Sequence, residues 1–278
     1  MDLMEDDGLT DLLRDAAGSL LVRRDSGLVT VELHRPERRN AVTHAMWSAL
    51  ARLMPALAAR DDVDAVVLRG TPGGPFSAGA DISEFAALRS TPEQAAAYGE
   101  AVEAGERAVL AFPRPTVALV QGWAVGGGTQ LAAACDLRVC DTSSRFGVTP
   151  ARLGIVYALQ STARLVDVVG QAWAGFFLLT GELVDADTAL RIGLVHEVLA
   201  PDEVEARAYA LAAVLASRAR VSQAGAKLLL SRVAQGRREE DDEVRAAYQR
   251  SLTGPEYAEG VAAFLAKRAP DFRGVRSP

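Results

Sequence analysis

Apolar positions recur along the chain with two periods. Gly27–Leu33 (GLVTVEL) alternates as a half-buried strand does, while Ala65–Arg69 (AVVLR) and Thr116–Val120 (TVALV) are short apolar runs suited to the inside of a sheet. Leu137–Cys140 and Leu194–Val198 are shorter segments of the same kind. Between them the period lengthens: Met46, Leu50, Leu53, Met54 and Leu57 share one face of a helix over Thr43–Ala59. Thr91-Pro92-Glu93-Gln94 opens another helix, with a capping residue and a proline in the first turn. That helix is expected to run to about Leu110, where Phe112-Pro-Arg-Pro stops it.

From about Gln160 the pattern becomes helical, over 160–169, 171–180, 202–218, 221–234, 238–252 and 256–268. The fold class is therefore α/β, a sheet-bearing core followed by helices. The expected organisation is an acidic extension over 1–20, a core over 21–200 and a helical region over 201–278, with no fixed-period repeat or low-complexity linker.

Composition narrows the function classes. With 49% apolar and 24% charged residues, 278 residues can bury a core without disulfides. Of the net charge of −6, a balance of −5 falls in the first twenty residues (Asp2, Glu5, Asp6, Asp7, Asp11 and Asp15 against Arg14). That start reads as a solvated, partly frayed extension, and it carries acid where a secretory signal carries base. The rest is nearly neutral and has no basic stripe, which argues against nucleic acid. No apolar run approaches the ~18 residues of a membrane span. Cys135 and Cys140, with His34, His44 and His196, make no metal-ligand spacing. A reduced, cytoplasmic protein without metal or redox cofactor is expected.

Two glycine turns carry the chemistry. Phe76-Ser-Ala-Gly-Ala-Asp-Ile82 follows one strand; Gln121-Gly-Trp-Ala-Val-Gly-Gly-Gly128 follows another and precedes a helix of small residues. Glycines at a helix N-terminus let free N–H groups and the positive end of the dipole approach an oxygen that is, or becomes, an anion. Neither segment is a dinucleotide fingerprint or a P-loop.

Together these segments resemble the crotonase (enoyl-CoA hydratase/isomerase) family. The resemblance runs through HRPERRNAV at 34–42, FSAGADISEF at 76–85, QGWAVGGGTQLAAACDLRV at 121–139, RFGVTPARLGIVY at 145–157, LTGELVDADTALRIGLVHEV at 179–198 and EGVAAFLAKRAPDF at 259–272. It implies a spiral of ββα units with a helical C-terminal trimerisation region, assembly as a trimer or hexamer, and a CoA thioester as substrate, CoA being part of the substrate. It also implies an oxyanion hole from the Ala80 and Gly127 N–H groups. Arg38 and Arg39 would lie along the CoA adenine, Ala78, Asp81 and Ile82 would line the ligand, and Phe264 and Lys267 would reach the nucleotide of a neighbouring subunit.

The sequence departs from the family at its two acids. Hydratases of this family carry glutamates at positions that here hold Gln130 and Pro150. Gln130 orients water or a carbonyl but transfers no proton at neutral pH, and Pro150 has neither polar side chain nor N–H. The replacements on offer are Tyr157 or Thr149 as a proton donor, and Glu84, Asp81 or Glu100 reaching the pocket from elsewhere. The leading expectation is an atypical hydratase/isomerase-type enzyme. The alternatives are decarboxylation of a malonyl-type CoA thioester, which generates the enolate without a strong base, and a non-catalytic CoA-binding scaffold.

Overall fold

The computed structural model describes residues 2–3, 7–16 and 18–276. Strands β1 (Asp2–Leu3), β2 (Leu20–Asp25), β3 (Leu28–Leu33), β4 (Ala65–Gly70), β5 (Thr116–Val120), β6 (Trp123–Val125), β7 (Leu137–Asp141), β8 (Arg145–Gly147), β9 (Val184–Asp185) and β10 (Glu197–Leu199) form two sheets. The main sheet runs β1-β2-β3-β4-β5-β7-β10, and a small sheet, β6-β8-β9, stands beside it. Pairing is antiparallel from β1 to β3 and parallel from β3 to β10.

Helices α1 (Asp7–Leu12), α2 (His44–Ala58), α3 (Phe85–Leu88), α4 (Pro92–Leu110), α5 (Gly127–Ala134), α6 (Leu159–Thr180) and α7 (Ala186–Arg191) connect or follow the strands. The C-terminal region is helical throughout: α8 (Val204–Ala216), α9 (Arg220–Ala234), α10 (Asp242–Thr253) and α11 (Pro255–Leu265).

Strand interiors are apolar on both faces because both faces are covered. Val66, Leu68, Ala118 and Val120 face the main core with Met46, Trp47, Leu50 and Leu53 of α2. Their neighbours Val67, Val117 and Leu119 face Val204, Ala208 and Ala212 of α8. Each large side chain so buried contributes about 1.5–3 kcal/mol.

Helix starts follow local chemistry. Thr43 caps α2 by accepting from the Met46 N–H, and Thr91 caps α4 by accepting from the Gln94 N–H. The Gln94 side chain accepts from the Ser90 N–H rather than closing a capping box on Thr91.

The break expected between 160–169 and 171–180 is present within α6, where Gly170 leaves the helical region with φ 73° and ψ 163°, while other expectations differ. The strand sought at Leu194–Val198 is Glu197–Leu199, since Leu194 and Val195 leave the end of α7 through bonds to the Ala189 carbonyl. The acidic start is less solvated than expected: Leu9 and Ala16 are buried in the main core, because α1 lies against α2.

Candidate active site

Two chain segments cross at the glycine turns. The Ser77 N–H donates to the Trp123 carbonyl and the Val125 N–H to the Ser77 carbonyl, while the Ala78 N–H donates to the Arg39 carbonyl. Gly79 and Asp81 also spend their N–H groups, on the Ser77 Oγ and the Val42 carbonyl. The Ala80 N–H has no acceptor among the described residues. The same holds at Gly127, the first residue of α5, where a helix leaves its N–H groups free.

The close approach requires glycine. Gly79 holds φ at +100°, and a Cβ there would lie 2.7 Å from the Val125 carbonyl oxygen. At Gly128 a Cβ would meet the Ser77 carbonyl oxygen at 2.6 Å. A Cβ on Gly127 would lie 3.5 Å from Ala80 N and 3.0 Å from Trp47 Cζ2. The two free N–H groups therefore sit side by side, at the positive end of a helix, over an indole floor. An oxygen gathering negative charge suits that spot.

The scaffold explains Asp81 and Glu84. Arg35 donates to the Asp81 carboxylate at 2.7 Å and to the Ala41 carbonyl at 2.8 Å, and Asp81 also accepts from the Ser83 N–H and Oγ. Burial pushes the Asp81 carboxyl up, but Ser83 and Arg35 outweigh it and hold it below the usual carboxylate range. Glu84 accepts from the His44 N–H at 2.8 Å, at the start of α2. Both acids are tied into the turn, and Glu100 is exposed. Ala78 is half-buried beside the Arg39 carbonyl, Ile82 is exposed, and Arg38 and Arg39 form an exposed loop with the Arg39 guanidinium 5.8 Å from the Trp123 ring centre. Phe264 and Lys267 are exposed at the end of the chain's helical region.

Gln130 is buried one turn into α5, and its amide NH2 group is already engaged. Gln130 Nε2 donates to Glu106 Oε2 at 2.7 Å and lies 2.9 Å from Ser161 Oγ, which donates to the same carboxyl oxygen at 2.5 Å. Glu106, on α4, is 4% exposed, and among the described residues no ion pair meets it. Burial pushes its carboxyl above the usual range, against the pull of Ser161, Gln130 and Arg164. Tyr157 belongs to the same cluster: burial and then the charge of Glu106 push its hydroxyl up, against an interaction with Ser161. Thr149 is half-buried just before Pro150, at the start of a short 3-10 turn.

Gln130 and Tyr157 both lie against Glu106 and Ser161, and Glu106 was not among the residues expected from the sequence. Its signal was present. On α4 the buried residues are Tyr98, Gly105, Glu106 and Val109, so Glu106 is an acid on an otherwise apolar helical face.

This geometry defines a class. Residues 23–275 match the enoyl-CoA hydratase/isomerase family model, and the chain belongs to that family. It is 32% identical over 262 residues to the 2,3-dehydroadipyl-CoA hydratase of Escherichia coli (strain K12), covering 92% of this chain and 98% of the relative. An enoyl-CoA hydratase/carnithine racemase structure from Magnetospirillum magneticum matches with TM-score 0.87 and 35% identity, over 91% of this chain and 95% of that one. An enoyl-CoA hydratase structure from Mycobacterium smegmatis matches with TM-score 0.82 and 33% identity, over 92% and 99%. The fold is accordingly the crotonase fold with a helical C-terminal region, and the chain is an acyl-CoA enzyme of that family. No helix among the described residues is long and apolar enough to cross a membrane.

Proposed function

We propose that this enzyme binds the carbonyl oxygen of an acyl-CoA thioester between the Ala80 and Gly127 N–H groups and stabilises it as an enolate. The pair of acceptor-free N–H groups, side by side at the start of α5, carries the reading. One such donor is worth about 2.7–4 kcal/mol where charge develops. Arg38 and Arg39 extend the site toward the CoA adenine, with Ala78, Asp81 and Ile82 along the ligand. Phe264, 82% exposed in the single chain, suits a role in a neighbouring copy, with Lys267 beside it, in a trimer or hexamer.

Hydration is not the reaction this site favours. Adding water calls for groups that hold the water and move its proton, together worth about 10²–10⁴ in rate. Pro150 offers none, and the Gln130 NH2 group, which transfers no proton at neutral pH, is spent on Glu106 and Ser161. Moving a double bond from the β,γ to the α,β position needs the enolate and one proton carrier, which makes isomerisation the leading reaction. Decarboxylation of a malonyl-type thioester is the second reading, favoured by the same missing acids because loss of CO₂ forms the enolate directly.

The test is product mass from a panel of thioesters. A β,γ-unsaturated acyl-CoA converted at constant mass supports isomerisation, and loss of CO₂ from a malonyl-type thioester supports decarboxylation. Rapid water addition to crotonyl-CoA with neither of those would overturn the reading. Binding without turnover of any thioester would leave a scaffold.

A further inference from the structure

A buried carboxyl without a cationic partner is costly unless it has work or remains protonated. Glu106 is such a group. Its Oε2 accepts from both Gln130 and Ser161, while its Oε1 has no partner among the described residues. The groups facing it come from three elements: Gln130 on α5, Ser161 and the more distant Arg164 on α6 with Tyr157 just before it, and Glu103 on its own helix. Arg164 spends its guanidinium on the Ala133 and Cys135 carbonyls, so its charge favours the ionised Glu106 from a distance without pairing with it.

The backbone beside this carboxyl and the backbone of one oxyanion donor pack on the same side chain, Trp47. A Cβ on Gly105, the residue before Glu106, would lie 2.8 Å from Trp47 Cε3; one on Gly127 would lie 3.0 Å from Trp47 Cζ2. Those two carbons are opposite corners of one benzo ring, so a single buried indole separates the backbone beside Glu106 from the N–H that receives the carbonyl. Gln130, three residues after Gly127 and on the same side of α5, completes the link.

We infer that Glu106 is the proton carrier of this site, delivered from α4 rather than from either position where the family's glutamates stand. This rests on the enolate reading above. In isomerisation, the Glu106 carboxylate takes the α-proton: the Cα–H bond breaks, an O–H bond forms on Oε1, and the electron pair passes into the dienolate held at Ala80 and Gly127. The same proton then moves to Cγ, the double bond comes to rest at α,β, and the carboxylate is restored. Nothing is consumed. Gln130 and Ser161 are positioning residues that fix the carboxyl plane through Oε2. Burial suits the role, since a carboxylate made harder to ionise is a stronger base once ionised.

The experiment uses the full-length protein with a β,γ-unsaturated acyl-CoA and, separately, release of tritium from the α-carbon of a saturated acyl-CoA. Calorimetric binding of the saturated thioester is measured in parallel. Glu106→Gln preserves the shape and both Oε2 contacts, so binding and thermal stability are expected to persist while isomerisation and tritium release fall about 10²–10⁴-fold. Glu106→Asp should restore part of the rate, with a shifted pH profile, and Glu100→Gln on the exposed side of α4 should change nothing. In the wild type, kcat/KM should rise with pH through the titration of Glu106, and that limb should vanish in Glu106→Gln. Wild-type activity retained in Glu106→Gln would overturn the proposal while leaving the enolate reading intact. Failure of the wild type to bind any acyl-CoA would sink the enolate reading itself, and thioester binding with neither isomerisation nor tritium release would refute Glu106 as a proton carrier.

Discussion

Gly127→Ala tests the heart of the site with one methyl group. Gly127 lies outside the positive-φ region and opens α5, so alanine is tolerated by the backbone and gains roughly 0.5–1 kcal/mol of helix preference. The new Cβ would lie 3.5 Å from Ala80 N and 3.0 Å from Trp47 Cζ2. A carbonyl oxygen bound to both N–H groups must sit about 2.7–3.1 Å from each nitrogen, so methyl and oxygen compete for one volume. Losing one donor contact costs about 2.7–4 kcal/mol, a fall in kcat/KM of about 10²–10³-fold. The indole must yield by a few tenths of an ångström, so melting temperature should move little. The assay is kcat/KM for whichever thioester the wild type turns over, with circular dichroism melting as the control for folding. A rate within threefold of wild type would refute the placement of the carbonyl oxygen between Ala80 and Gly127. The contrasting variant is Gly128→Ala, whose Cβ would strike the Ser77 carbonyl oxygen at 2.6 Å and whose main effect should be on stability.

Other outcomes follow from the same contacts. Because the folded pKa of Glu106 is raised, the unfolded chain releases that proton first as pH rises. Its contribution to stability is complete below the ordinary carboxylate pKa and is lost as pH climbs through the raised value. Urea midpoints should therefore favour Glu106→Gln over wild type increasingly across that window, and the opposite trend would contradict a carboxyl destabilised by burial. Arg35→Ala leaves the buried Asp81 carboxylate without its guanidinium, and chemical denaturation should show a loss of about 1–3 kcal/mol. Phe264→Ala removes an exposed side chain and should change chain stability by less than about 0.5 kcal/mol. Its effect should appear as weaker acyl-CoA binding by calorimetry, and unchanged affinity would exclude Phe264 from the nucleotide end.

Much of the frame was legible because it is local. The strand Thr116–Val120 was placed to the residue, and α2 and α4 begin where Thr43 and Thr91 predict, since an N-cap needs only its own side chain and an N–H two or three positions on. The glycine turns were legible for the same reason: no other residue lets 77–80 and 124–128 pass so closely. The family resemblance was written in those same segments, and the matching family model spans them.

What the sequence determined by itself was therefore the backbone frame and the presence of Gln130 and Pro150 rather than acids at those two positions, because propensity, capping and residue identity are properties of short segments. Only the tertiary structure decided which acid is buried against Gln130. Glu93, Glu100, Glu103 and Glu106 all lie on α4, and composition cannot rank them. Glu106 is singled out by its approach to Gln130 from 24 positions away and to Ser161 from 55, and by the burial those contacts impose. The strength of a carboxyl as acid or base depends on water excluded and dipoles gathered around it, and those are set by which helices pack together.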